Sequence, residues 1–283
     1  MIISVWGNSG SGVSTLAMKL ALEFSRKNKN TVIVDSNFVA PQTKIWFPTK
    51  DFPSDISLST ILANNVEMDK VASKITMIDD YLGVLGYSRD LSVNSIPGRD
   101  DTPSELLSVL NNLCDIVIID CQSNITQDVM SFMAVDISDV KIINMTPDLR
   151  GLAWYEANVM MLKDKWASQH AEVIKVFNKI NLNAPVDAIE KVIGSGDFFL
   201  PFSYEIEEEL YNGTMAQKGY KGSGKKYGAV IDSLYNHLAE YKPSIGHGSF
   251  TDSAQNIIIN QETNFASNEE MQSPININFD EEV

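Results

Sequence analysis

Cysteine is scarce in this 283-residue chain, which has only Cys114 and Cys121. Two thiols make neither a disulfide framework nor a four-ligand zinc site, and such usage fits a reducing compartment. The three histidines, His170, His237 and His247, are scattered, and no spacing among them suggests zinc or a nucleophile–base pair. No apolar run approaches the ~20 residues of a membrane-spanning helix. The N-terminus enters an apolar strand without an early basic region, so no export signal is expected. Positive charge is also in short supply: 22 Lys and Arg against 37 Asp and Glu leave a net charge of −15. That balance argues against binding nucleic acid or anionic membrane through the whole surface. Basic residues stop at Lys242; beyond it come Asp252, Glu262, Glu269, Glu270, Asp280, Glu281 and Glu282 among Asn, Gln and Ser. Residues 243–283 are expected to form a disordered acidic tail. Its islands Ile257-Ile258-Ile259 and Ile275–Phe279 are suited to adding to a sheet edge. Residues 1–242 are long enough, and the chain apolar enough at 44% hydrophobic, for one large domain.

What is present begins at Ile2. The apolar run Ile2-Ile3-Ser4-Val5 reads as a buried strand, and Leu16 to Phe24 carries apolar residues at helical spacing. Between them lies Gly7-Asn8-Ser9-Gly10-Ser11-Gly12-Val13-Ser14-Thr15. Strand, glycine loop and helix are the setting in which backbone N–H groups and a helix N-terminus converge on an anion. The phosphate-binding pattern G-x-x-x-x-G-K-[ST] is met at Gly7, Gly12 and Ser14, but Val13 stands where the lysine belongs. Residues 7–15 are therefore candidates to cradle a nucleotide through main-chain donors, with magnesium on Ser14. The competing reading is a glycine turn without a ligand.

Further along, apolar strands alternate with helical patterns. Thr31-Val32-Ile33-Val34 ends in Asp35, and Asp115-Ile116-Val117-Ile118-Ile119 ends in Asp120. A uniformly apolar run is a strand buried on both faces, as in a parallel sheet. A carboxylate at its C-terminal tip lies where ligands gather, so Asp35 and Asp120 are candidates to order magnesium; a turn or cap carboxylate is the alternative for Asp35. Further strands are expected at 82–87, 139–145, 172–179 and 198–201, and helices at 102–113, 149–166, 204–211 and 227–241. Residues 57–75 suggest one or two short helices, and 89–101 a surface loop. Lys218 to Lys226 reads as a basic, glycine-rich loop, whose Gly-Ser-Gly-Lys string lacks the preceding strand a phosphate loop needs. The alternation predicts an α/β fold: a P-loop NTPase-like, mostly parallel sheet with helices on both faces.

Taken in order, the 7–15 loop, Asp35–Pro41, the Asp115–Asp120 strand, Thr146-Pro147-Asp148, Val176-Phe177-Asn178-Lys179 and Leu200-Pro201 resemble the ParA/MinD family of deviant-Walker ATPases. Within it the likeness is greatest to the CpaE/TadZ-type pilus-assembly members. The resemblance covers roughly 1–242. It implies ATP and magnesium as cofactors and a dimer closed around two nucleotides. It further implies adenine contact at Asn178 and Pro201, and metal ordering by Ser14, Asp35 and Asp120. The chain departs from the family at three places: Asn8 and Val13 replace its two loop lysines, and Asn37 replaces a catalytic aspartate. Groups that stabilise charge in the transition state are each worth several kcal/mol of barrier, so hydrolysis is expected to be very slow or absent. The expected role is a cytoplasmic positioning or assembly scaffold for pilus, secretion or conjugation machinery, recruited by protein partners to a membrane or polar complex. The alternatives are an active partition ATPase, with Lys225 or Lys226 supplying the missing cation and the basic loop touching DNA, and a structural relative that binds no nucleotide.

Overall fold

The structure is a computed structural model that describes residues 1–52, 57–87, 102–169, 171–217 and 219–241. The surface loop expected at 89–101 and the acidic tail expected at 243–283 lie outside the described residues, as do Lys218 and Lys242.

The strands are β1 (Ile2–Gly7), β2 (Thr31–Asp35), β3 (Thr76–Met77), β4 (Leu82–Gly86), β5 (Ile116–Asp120), β6 (Val140–Met145), β7 (Glu172–Ile180) and β8 (Phe198–Pro201). They form one sheet in the order β3-β4-β2-β5-β1-β6-β7-β8. Every described pairing is parallel except β3 with β4. β1 lies between β5 and β6, so the loop leaving its C-terminal end opens at the middle of the sheet edge.

Alternation along the strands builds two cores. Ile2 and Trp6 of β1 face one, with Val34, Val117, Ile119, Ile143 and Phe177. Helices α3 (Leu58–Leu62), α4 (Met68–Lys74), α5 (Thr102–Leu113), α6 (Val129–Ile137), α7 (Leu149–Asn158), α8 (Lys163–Ser168) and α9 (Val186–Ile193) cover that face. Ile3 and Val5 face the other core, under α1 (Val13–Arg26), α2 (Thr43–Trp46), α10 (Tyr204–Tyr211) and α11 (Gly224–Glu240). A sheet buried on both faces is what the uniformly apolar strands require.

The structure differs from the sequence reading in several places, and α2, β3 and α9 are among the elements it adds. The helix expected over 149–166 is interrupted. Asn158 donates its side-chain amide to the Trp154 carbonyl at 2.8 Å, and the chain turns before α8 brings Trp166 edge-on to Trp6, with ring centroids 6.4 Å apart. The last helix starts at Gly224, not Tyr227, so Lys225 and Lys226 are exposed residues of its first turn. Ahead of it Ser223 is pinned to α10: its N–H donates to Glu205 at 2.8 Å and its hydroxyl donates to the same carboxylate. Helix α6 has no counterpart in the sequence reading, because its residues are apolar nearly all round and carry no periodicity to read.

Candidate functional site

The loop 8–12 joins the central strand to α1 and is fastened from behind by three asparagines. Gly7 presses so closely on the Asn144 carbonyl of β6 that a side chain there would collide with it. Asn144 and Asn178 both donate to the Ser11 carbonyl, at 3.1 and 2.8 Å. Asn8 accepts from the Thr146 N–H at 3.0 Å and donates to the Thr146 hydroxyl at 3.1 Å. Gly12 adopts φ 88°, a left-handed conformation that favours glycine, and a Cβ there would stand 2.9 Å from the Asn178 amide nitrogen. α1 begins directly after it with no side-chain cap and no acid in its first turn. The first-turn N–H groups at Val13, Ser14 and Thr15 have no intrahelical acceptors, and these residues line a cleft of about 570 Å³. An uncapped helix start at the end of a clamped glycine turn suits an anion.

Beneath the loop lie the two strand-tip carboxylates. Asp35 and Asp120 are register partners across β2 and β5, and Val5 is the partner of Asp120 on the other side. Both are buried. Burial pushes Asp120 well above the usual carboxylate range, with the nearby Asp35 adding to the rise; the Ser14 hydroxyl works the other way. Its Oδ2 is buried without a hydrogen-bond partner. Asp35 is held at about 7: burial raises it, N–H groups of Gln42, Asn37 and Thr43 offset part of that, and the charge of Asp128 adds to it. Its two oxygens accept those bonds, from Asn37 at 3.1 Å, from Thr43 at 3.0 Å and from Gln42. Asp35 thus organises the 36–43 turn as well as standing beside Asp120. Asn37 belongs to the same turn, its side chain accepting from the Ala40 N–H at 2.9 Å.

An orphaned carboxylate oxygen beside Ser14, under a cluster of unpaired N–H groups, fits a magnesium ion bound together with a phosphate. Magnesium takes few protein ligands and draws the rest from water and phosphate. Among the described residues no set of three or more His, Cys, Asp or Glu side chains is arranged to hold a metal, and a magnesium–phosphate site does not need one.

Of the residues singled out from the sequence, Asn8, Ser9, Gly10, Gly12, Val13, Ser14, Thr15, Asn178 and Pro201 line one cleft. Gly7, Ser11, Asp35 and Asp120 are buried and do not line it. Asn178, carried over as an adenine contact, spends its amide on Ser11 and its carbonyl on the Lys179 N–H at 2.7 Å. The far wall was not legible: Phe202 just after β8, Ile206, Leu210 and Tyr211 of α10, Met215 between α10 and α11, and Tyr227 of α11 make it apolar and partly aromatic. Lys179 and Glu207 also line the cleft, whereas Lys225 and Lys226 do not. α10 is bolted to the loop helix by the buried Lys19, which pairs with Glu209 and donates to the Met215 carbonyl at 2.9 Å.

The chain superposes on a ParA family ATPase from Chlorobium tepidum TLS with a TM-score of 0.71, covering 84% of this chain and 98% of that one at 18% identity. It has the ParA/MinD fold. The septum site-determining protein MinD of Pyrococcus horikoshii OT3, complexed with Mg-ADP, matches the ParA/MinD fold of this chain at TM-score 0.65 and 16% identity, over 84% of this chain and 95% of that one. A plasmid partition protein of Borrelia burgdorferi B31 bound to AMPPNP matches at TM-score 0.65 and 18% identity, over 84% and 98%. At these identities the likeness establishes architecture. No protein-family model matches the chain. An uncharacterized ATP-binding protein of Methanocaldococcus jannaschii is 20% identical over 148 residues, 52% of this chain; the match spans about half, 53%, of that relative. No helix among the described residues is long and apolar enough to cross a membrane.

Proposed function

We propose that this chain is a member of the ParA/MinD family that binds ATP with magnesium, hydrolyses it very slowly or not at all, and acts as a dimeric positioning or assembly scaffold. The observation that carries the proposal is the unpartnered Asp120 Oδ2 beside Ser14, below the uncapped start of α1. A buried carboxylate oxygen left without a partner is costly, and a cation at this place removes the cost. Ser14 and Asp120 would hold the magnesium, with Asp35 behind them. The loop N–H groups would take the phosphates, and the apolar wall at Phe202 and Tyr211 would take the base. The Mg-ADP bound in one structural neighbour and the AMPPNP bound in another support the same reading.

Slow chemistry follows from the residues. Asn8 is committed to Thr146, Val13 carries no charge, and Asn37 is committed to its own turn. None of the three supplies a proton acceptor or a cation to a transferring phosphoryl group. A long-lived nucleotide state suits a scaffold in which two copies close around nucleotide and recruit proteins of a pilus, secretion or conjugation machine. The proposed place is the cytoplasm, with recruitment by those partners to a membrane or polar complex. Residues 1–242 are the proposed functional domain, and 243–283 the proposed recruiting tail.

Equilibrium dialysis of labelled ATP with magnesium, followed by a turnover assay on the same protein, tests this. The expected result is saturable binding, lost in Ser14→Ala, with turnover far below that of lysine-bearing family members. Absent binding overturns the proposal, as does rapid turnover. The printed name of the Borrelia neighbour favours partition as a second reading. DNA binding in a gel shift, steeply weakened by salt, would support it over the scaffold.

A further inference from the structure

The loop carries Val13 where a phosphate loop has its lysine, yet a cation stands beside Gly12. Lys179 is the only Lys or Arg among the described residues that line the cleft. Its Cε lies 3.9 Å from the position of a Cβ built on Gly12. Its Nζ stands 3.8 Å from Glu207, the only acid in that lining.

Lys179 reaches the cleft through an unusual backbone. It adopts φ 59°, one of two described non-glycine residues with a positive φ. The β7–β8 register shifts between Phe177 and Ile180 at the same place. Strict strand alternation would send Asn178 and Lys179 to opposite faces; the left-handed bend lets both line the cleft. A left-handed conformation costs a side-chain-bearing residue about 1–2 kcal/mol. The ion pair to Glu207 does not offset that. At 3.8 Å, with both side chains more than a third exposed, it falls in the class of surface pairs worth about 0–1 kcal/mol. The Lys179 N–H also donates to the Asn178 side-chain oxygen at 2.7 Å, which braces the bend but not the ammonium, so a charged side chain held in the cleft by so little is what a binding residue shows in the absence of its ligand.

We infer that Lys179 is the phosphate-binding cation of this cleft, replacing in cis the ammonium missing at Val13, and that Glu207 is the counter-ion a nucleotide phosphate displaces. The inference rests on the nucleotide reading above. It gives Glu207 a sign: its carboxylate competes with phosphate for Lys179 and repels phosphate itself, so removing its charge tightens binding. It also leaves Lys225 and Lys226 without a role at the phosphates.

The test is titration of Mg-ADP into the full chain and into Lys179→Ala, Lys179→Arg, Lys179→Gly and Glu207→Gln, with ligand-free unfolding as a folding control. Lys179→Gly relaxes the left-handed backbone, so it keeps the test valid if Lys179→Ala fails to fold. The expected result is a loss of about ten-fold or more in affinity for Lys179→Ala and Lys179→Gly, the size of one charge-assisted phosphate contact. Lys179→Arg retains binding and Glu207→Gln binds more tightly than the unmodified chain. Unchanged affinity in the folded Ala or Gly variant overturns the inference, as does weaker binding by Glu207→Gln. No binding by the unmodified chain overturns the nucleotide reading itself, a result distinct from binding that ignores Lys179.

Discussion

Asp35 and Asp120 are nearest neighbours on adjacent parallel strands, both buried, and only one of them has its oxygens filled. Asp35 accepts three backbone N–H bonds, whereas Asp120 keeps Oδ2 free beside Ser14. The sequence offers both as candidates to order magnesium, with a turn carboxylate as the alternative for Asp35 alone; in the structure Asp35 holds the turn and Asp120 keeps an unpartnered oxygen.

Replacing Asp120 tests that division. Burial, reinforced by Asp35, holds the Asp120 carboxyl protonated well above the ordinary range. Its native form therefore keeps a proton that the unfolded chain has released, and its contribution to stability falls as pH rises above the unfolded value. Asp120→Asn removes that loss. Without ligand, the variant is expected to melt higher than the unmodified chain at pH 8, while the magnesium-dependent part of its ATP affinity disappears. Melting curves and ATP titrations with and without magnesium check both halves. A variant that keeps magnesium dependence would place the metal elsewhere.

Lys19 joins the loop helix to α10 and is almost fully buried. Lys19→Ala leaves Glu209 and the Met215 carbonyl without their donor. Removing one partner of a buried ion pair costs about 3–5 kcal/mol; since Glu209 is partly exposed, a loss of about 3 kcal/mol or somewhat less is expected. Urea unfolding measures it. A loss confined to a few tenths would show that α10 is held by its apolar contacts alone.

Lys141 is buried at the other end of the sheet, donating to the Ser138 carbonyl at 2.7 Å below the Trp166 ring. Burial lowers it to about 8, against a partial rise from Asp136 and Asp139. Between about pH 8 and 10.5 the unfolded chain binds a proton there that the native state has released, so stability contributed by this group rises with pH in that window. Lys141→Met removes the charge and is expected to flatten that part of the profile. The difference between the two proteins in urea unfolding at pH 7.5, 8.5 and 9.5 isolates it from other groups titrating there.

Much of this architecture is legible in the residues. Strand runs at 2–5, 31–34 and 116–119, apolar but for Ser4 and Thr31, predict a sheet buried on both faces, and Gly7, Gly12 and Ser14 place a glycine turn at its centre. What escapes is whatever depends on partners distant in sequence. Asn8 reads as a missing lysine, yet its amide clamps Thr146, 138 positions away. Asn178 reads as a base contact, and its bracing of Ser11, 167 positions away, is not visible in the sequence. Lys179 escapes because alternation assigns it to the opposite face from Asn178, and only the left-handed bend at φ 59° overrules that. Helix α6 escapes because uniform apolarity has no period.

The most direct test of a magnesium–nucleotide site is thermal unfolding of the full chain over a series of Mg-ATP concentrations, beside Gly12→Ala as control. A Cβ at Gly12 meets the Asn178 amide in a left-handed turn, so the control spoils the cradle while leaving Asp120 in place. A ligand that binds only the native state raises the melting temperature with concentration, by about 2.7 kcal/mol of stability at a hundred times Kd. The expected result is a concentration-dependent rise in the unmodified chain, abolished when magnesium is chelated and absent from Gly12→Ala. A melting temperature unmoved by millimolar Mg-ATP, or moved equally in both proteins, would contradict it.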